Sequence, residues 1–294
     1  MGDTGPVTMQ AAIRHGGDLG RARASFPLAP EPWIDLSTGI NPHSYPHSPI
    51  PASAFARLPE PSALNRLKEV AAAAFGAPSA AHIVAAPGTQ MLMPLLAELA
   101  LQRGAKRAAV LTPAYAEHAR TARMAGLDVA EVSNFSNLSD FDYAVVINPN
   151  NPDGRVMGRG DLLGLAAEMS RKSGLLVIDA RLEQRLGPWA VSGPALHVAA
   201  EALGDNGWRD AMRLRLRTEV TRLDAILTSA GLTVVGGTSL FRLVRDARAA
   251  ALFAQLANRG ILVRIFDERS NDMRFGLPGT EAEWARLEAA LSEL

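Results

Sequence analysis

The chain has 294 residues, 48% of them apolar, which is enough for one large domain or a large and a small one around a substantial core. Thirty basic side chains balance thirty acidic ones, so no net field favours nucleic acid or an acidic membrane surface as a partner. The lack of cysteine removes disulfides, thiolate chemistry and Cys-based metal sites; with no long apolar run and no signal pattern, the expected setting is cytoplasmic.

Residues 1–62 are proline-rich and aperiodic, which predicts an N-terminal arm lying over something larger. Ser62 is placed to cap a helix through "ALNRLKEVAAAAF", and Gly76 to end it. Strand-like and helix-like pieces then alternate. "HIVAA" leads through "PGT" into the helix "QMLMPLLAELALQ". "AAVLT" precedes "YAEHARTARMAG", "YAVVIN" precedes a polar loop and "DLLGLAAEMSRKSG", and "LLVID" follows. Strands apolar on both faces, alternating with helices, predict a mainly parallel sheet covered by helices over residues 63–204. After the helix "PALHVAAEAL" the pattern changes. A long helix carries Met212, Leu216, Leu223 and Ile226 at helical spacing, and "LTVVG", "SLFRLV", "ILVRIF" and "MRFGL" are short strands among two more helices. Residues 205–294 are therefore expected to form a smaller α+β unit.

Four stretches carry candidate chemistry. In "APGTQ" a strand turns through Gly88 towards a helix start at Thr89 and Gln90. Unpaired N–H groups and the helix dipole suit a phosphate there, although on local grounds a strand-turn-helix with one glycine is more often only a turn. "INPNNPDGR" fixes an extended loop at a strand's C-terminal end, where ligands of open α/β sheets sit, and leaves Asn151 an amide to donate. Asp179 ends the next strand; it can hold a protonated cofactor ring nitrogen or merely cap a following helix, and on local grounds the cap is the stronger reading. Arg264 and Arg274 alternate with apolar residues on short strands and could grip a carboxylate and a phosphate, or simply face solvent.

Taken in order, these motifs resemble the fold-type I pyridoxal-phosphate enzymes of the aminotransferase class I/II superfamily. The arm "HGGD…WIDLSTGINPHSYP" and the later "LGPWAVSGPAL" are similar to the threonine-phosphate decarboxylase family of cobalamin biosynthesis. The resemblance implies pyridoxal 5′-phosphate as cofactor and decarboxylation of L-threonine O-3-phosphate to (R)-1-aminopropan-2-yl phosphate. Gly88, Thr89 and Gln90 would cradle the cofactor phosphate, Tyr115 would stack on its ring, Asn151 would bond its phenolic oxygen and Asp179 its ring nitrogen. His15, Gly16, Asn41 and Asn151 would meet the substrate with Arg264 and Arg274. A homodimer is implied too. Histidinol-phosphate aminotransferases share the loop and the final arginine, and stand as the alternative.

The pattern breaks once. The family carries a "SFGKxxGLAGxRLG" stretch, with its Schiff-base lysine, between the aspartate and "LGPW"; here Asp179 is followed within a few residues by "RLEQRLGPW". Lys68, Lys106 and Lys172 are the only lysines and match no cofactor-linking position, so no catalytic residue is assigned. A segment of roughly 40–60 residues, judged by the size of a βαβ unit, is expected to be missing after Asp179. If the chain is complete as it stands, the expectation shifts to a non-catalytic homologue that binds or regulates.

Overall fold

A computed structural model describes residues 16–179 and 191–293. His15 lies outside the described residues, as does the "RLEQRLGPW" join. The arm contains α1 (Leu19–Ser25), β1 (Ile34–Leu36) and the short α2 (Ser53–Ala56). The helix α3 (Pro61–Phe75) starts two residues earlier than a Ser62 cap would place it: Glu60 is the N-cap, Pro61 follows it, and Ser62 lies inside the first turn. Proline's fixed φ and missing N–H suit the first helical position, which is why it displaces the expected serine cap. Gly76 closes the helix at φ +67°, and its N–H donates to the carbonyls of Ala72 and Ala73.

Next come α4 (Leu92–Gln102), β2 (Arg107–Leu111), α5 (Glu117–Met124), β3 (Asp128–Val132), β4 (Tyr143–Val146), α6 (Arg159–Arg171) and β5 (Leu175–Ile178). The four strands form one parallel sheet in the order β3-β2-β4-β5. Its interior strands are buried on both faces, from Ala108 to Leu111 and from Tyr143 to Val146, as their uninterrupted apolar runs require. The strand expected at "HIVAA" does not form. Residues 80–82 make a single 3₁₀ turn and residues 83–86 run without a ladder, although Ile83 still packs beside Ala71 and Ala72. A strand exists only with a hydrogen-bonding neighbour, and no described segment supplies one on that side.

The rest comprises α7 (Gly193–Gly204), α8 (Asn206–Ser229), β6 (Thr233–Thr238), β7 (Phe241–Arg245), α9 (Ala249–Asn258), β8 (Ile261–Phe266), β9 (Arg269–Gly276) and α10 (Glu281–Ser292). A mixed sheet, β1-β8-β9-β7-β6, draws its first strand from the arm, with Ile34 beside Ile261 in parallel register. Leu216 and Leu223 of α8 enter its core with Trp284, Leu256 and Phe275, while Met212 and Ile226 flank it. The arm is held further on by His43, whose Nε2 lies 2.8 Å from a Glu219 carboxylate oxygen on α8.

The two sheets are joined where the loop after β4 presses on β6. A Cβ on Gly236 would lie 2.1 Å from the Asp153 carbonyl oxygen, and the Gly237 N–H donates to that same oxygen at 3.0 Å. Only glycine permits so close a backbone approach. This contact sets the Asn151 loop against the sheet that carries Arg264 and Arg274.

Candidate active site

Two neighbouring cavities open at the C-terminal ends of the parallel strands. The first, about 250 Å³, has Gly88, Thr89, His118 and Asp179 among its walls, with an apolar side from Val84 to Leu96. Gly88 takes φ +125°, a value L side chains rarely adopt, and a Cβ there would meet nothing within 4 Å, so the corner is open above the glycine. Thr89 and Gln90 begin the turn that runs into α4, where the first N–H groups have no intrahelical acceptor. Gln90 itself is exposed and is not part of the cavity wall.

Asp179 extends β5 by one rung, its N–H donating to the Val146 carbonyl at 2.9 Å. Its carboxylate is 25% exposed and lies 3.3 Å from Nε2 of His118, which is 3% exposed. Sequence reasoning missed His118. The signal was there, because Tyr115 stands three residues before His118 at the entry to α5, and the His118 N–H donates to the Tyr115 carbonyl at 3.2 Å. Their rings meet edge to face at 6.4 Å. Burial, reinforced by the negative charge of Glu117, raises the Tyr115 hydroxyl above its ordinary pKa, so it stays a neutral phenol.

Tyr115 belongs to the second cavity, about 150 Å³, whose walls include Gly16, Asn151, Arg264, Arg269 and Arg274. The chain Tyr115–His118–Asp179 thus links the two spaces. Arg264 and Arg274 are direct cross-strand partners on β8 and β9, a like-charge pairing that destabilises a sheet unless something else stabilises it. Arg274 is 8% exposed; its Nη1 donates to Asn151 Oδ1 at 2.7 Å, its Nη2 to the Ser37 carbonyl at 2.8 Å, and its Nε is buried with no partner. Burial, and then the charge of Arg264, push its pKa down to about 10. Such an environment is short of negative charge. With its Oδ1 engaged by Arg274, Asn151 keeps its amide N–H groups for other acceptors.

The arm reaches this region through Gly16, where a Cβ would lie 2.5 Å from the Ser37 carbonyl oxygen. Asn41 is not brought to either cavity; its Oδ1 accepts from the His43 N–H at 3.0 Å and shapes its own loop. The lysines are elsewhere. Lys106 precedes β2 and Lys172 precedes β5, both at the N-terminal ends of the strands and so away from the cavities, with Lys172 Nζ donating to the Ser139 carbonyl at 2.7 Å, and Lys68 is on α3.

Residues 31–181 and 180–291 match the family model described as aminotransferase class I and II. The chain belongs to that family. The two matches meet where β5 ends. A threonine-phosphate decarboxylase of Pseudomonas aeruginosa is 34% identical over 330 positions, covering 95% of this chain and 97% of that protein. One from a Sinorhizobium species is 32% identical, covering 97% and 99%. The 330 aligned positions exceed the 294 residues of the chain by 36, so the alignment opens at least that many gaps on this side. Among solved structures, L-threonine-O-3-phosphate decarboxylase from Porphyromonas gingivalis superposes with a TM-score of 0.63 at 19% identity, covering 88% of this chain and 98% of that one. Histidinol-phosphate aminotransferase from Clostridium acetobutylicum gives 0.69 at 17% identity, covering 89% and 100%. At those identities the structures establish the fold alone.

The family's cofactor, pyridoxal phosphate, fits the non-covalent part of this site: an open glycine corner for its phosphate and a strand-end carboxylate sharing that cavity. For a covalent link it finds no lysine among the walls of either cavity.

Proposed function

We propose that the site binds pyridoxal 5′-phosphate with L-threonine O-3-phosphate and is shaped for loss of CO2 from that substrate, giving (R)-1-aminopropan-2-yl phosphate. The observation that carries this reading is the Arg264–Arg274 pair, of which Arg274 is buried and bonded to Asn151, in a cavity whose wall also holds Tyr115; the Tyr115 ring meets His118, and His118 lies beside Asp179. The near end-to-end match to two relatives named for this reaction supports it.

When bound, pyridoxal phosphate supplies a ring that accepts the electron pair left behind as CO2 departs. Asp179 keeps a proton on the ring nitrogen through a charge-assisted hydrogen bond, and His118 holds the carboxylate in place. The free N–H groups at Thr89 and Gln90 take the cofactor phosphate. Tyr115 presents its ring, and the Asn151 amide donates to the phenolic oxygen. Arg274 would hold the substrate carboxylate in a fixed orientation, the positioning that loss of CO2 requires. Arg264 and Gly16 face the substrate phosphate, the group for which the resemblance also nominates His15 and Asn41. The reading also takes 1–62 as arm, 63–204 as cofactor domain and 205–294 as small domain, within a homodimer.

A second reading rests on the missing lysine: the chain retains both ligands without turnover. One experiment separates these. The chain is mixed with pyridoxal phosphate and L-threonine O-phosphate, with and without ethylamine to stand in for a lysine, and CO2 and phosphorus-containing products are measured. Aminopropanol phosphate and CO2 without keto acid, increasing with ethylamine, is the expected result. Saturable retention of both ligands with no CO2 supports the second reading, a keto acid points to transamination, and no retention of either ligand defeats both readings.

A further inference from the structure

Beyond the pair already described, a third guanidinium reaches the second cavity. Arg269 opens β9 directly across from Phe266 in the β8–β9 hairpin. The guanidinium carbons of Arg264 and Arg269 lie 5.4 and 6.0 Å from the centroid of that one ring, so Phe266 serves as a common platform for both. Arg269 Nη2 pairs with Asp272, but Asp272 also accepts from Arg245 Nε at 2.8 Å and Nη2 at 3.2 Å, so one carboxylate is shared by two cations. Arg269 Nη1 is buried with no hydrogen-bond partner. A buried donor left unmet calls for an acceptor that the protein does not itself supply.

The charge balance identifies the acceptor's class. The cavity wall holds three arginines against Asp267 and Glu268 at the hairpin tip. A substrate carboxylate brings one negative charge, whereas a phosphate monoester brings roughly 1.5 to 2 and three acceptor oxygens. Arg274, bound to Asn151 and Ser37, faces the carboxylate, which leaves Arg264 of that pair for a group carrying more than one negative charge. We propose that Arg269 is the specificity residue that, with Arg264, makes this cavity prefer a phosphorylated amino acid over its free hydroxyl counterpart. The inference rests on the functional reading above and deepens it.

The test measures equilibrium binding of L-threonine O-phosphate and of L-threonine to the full chain in the presence of pyridoxal phosphate, for the wild type, Arg269→Gln and Arg269→Lys. Asp272 keeps both hydrogen bonds from Arg245 in these variants, and thermal melting checks that they fold. Arg269→Gln is expected to weaken threonine phosphate by roughly ten- to a hundredfold, the range for a charge-assisted hydrogen bond, and to leave threonine unchanged, with Arg269→Lys recovering part of the loss. Equal weakening of both ligands, or none, overturns the assignment while leaving the functional reading intact. A wild type that does not distinguish the two ligands overturns both.

Discussion

The two sheets differ in how they end. In the five-stranded sheet the outer strand β1 comes from the arm, and at the far side β6 receives the Asp153 carbonyl on its Gly237 N–H. The four-stranded sheet ends at β5, an all-apolar strand with β4 on one side and no described strand on the other. An uncovered apolar edge is a liability that natural sheets normally manage with charge, bulges or cover. The family match splits at this same point, and residues 83–86, strand-like in sequence, lie across the first cavity from Val177 and Ile178 without a ladder. Both the outer side of β5 and residues 83–86 thus lack a described hydrogen-bonding neighbour, and residues of both line the same cavity.

The sharpest way to break this comparison is to truncate one side chain in each core. Trp284, 2% exposed in the five-stranded unit, is expected to cost about 3–5 kcal/mol when changed to alanine, whereas Ile178→Ala on the half-buried edge strand should cost under about 2 kcal/mol. Urea titration of both variants measures it; equal losses would mean that β5 is covered as well as α10 is.

Arg274 provides a change of opposite sign. Its pKa in the fold is about 10, well below the ordinary arginine range, so the unfolded chain holds this proton more tightly. The penalty is fully present below pH 10, and stability from this group rises as pH climbs above 10 towards the ordinary arginine range. Arg274→Met is therefore expected to stabilise the ligand-free fold at neutral pH by up to about 3 kcal/mol while abolishing binding of threonine phosphate. A clear fall in melting temperature would show that the bonds to Asn151 and Ser37 outweigh desolvation, and that the cation is structural.

Asp179→Asn tests whether the edge strand still delivers its carboxylate. Losing a charged hydrogen-bond partner is expected to cost about 1.5–3 kcal/mol in pyridoxal phosphate affinity, read by equilibrium dialysis. Unchanged affinity would remove Asp179 from the cofactor's contacts and leave it as the partner of His118 alone.

Much of this was legible in the residues, and the failures have physical causes. The interior strands β2 and β4 are apolar at every position because both faces are covered, and the eye finds them for that reason. "HIVAA" reads the same way and does not pair, since local pattern encodes propensity for a ladder but not the presence of a partner. Asp179, Tyr115, Asn151 and Arg274 were named from motif positions, and the fold does bring them to two adjoining cavities. His118 and Arg269 were not, because their significance lies in who faces them: a carboxylate on another strand in one case, a shared aromatic ring and a divided aspartate in the other. Asn41, chosen for its motif, spends its carbonyl on its own loop.

The smallest effect concerns helix starts, where the two halves differ again. Asp205 caps α8, and Thr280 with Glu283 forms a reciprocal capping box on α10, leaving only α9 of that half without a side-chain cap bond, whereas α3, α4, α5 and α6 all lack one. Thr280→Ala is accordingly expected to cost about 1 kcal/mol. The complementary change gives the deficient half what it lacks. Gly158 is the N-cap of α6 at φ −65°, ψ 148°, a conformation any residue adopts, and Asp161 already stands in the first turn. Serine there offers its hydroxyl to the orphan N–H groups of that turn and narrows the unfolded ensemble. Its Cβ would come 3.0 Å from Asp161 Oδ2, which belongs to an exposed side chain able to swing aside. Gly158→Ser should therefore raise stability by a few tenths of a kcal/mol, since glycine is itself a tolerable cap. If the variant instead loses stability in a thermal melt, the Asp161 carboxylate is held more firmly against the helix start than its exposure implies, and α6 is already capped by charge rather than by a hydrogen bond.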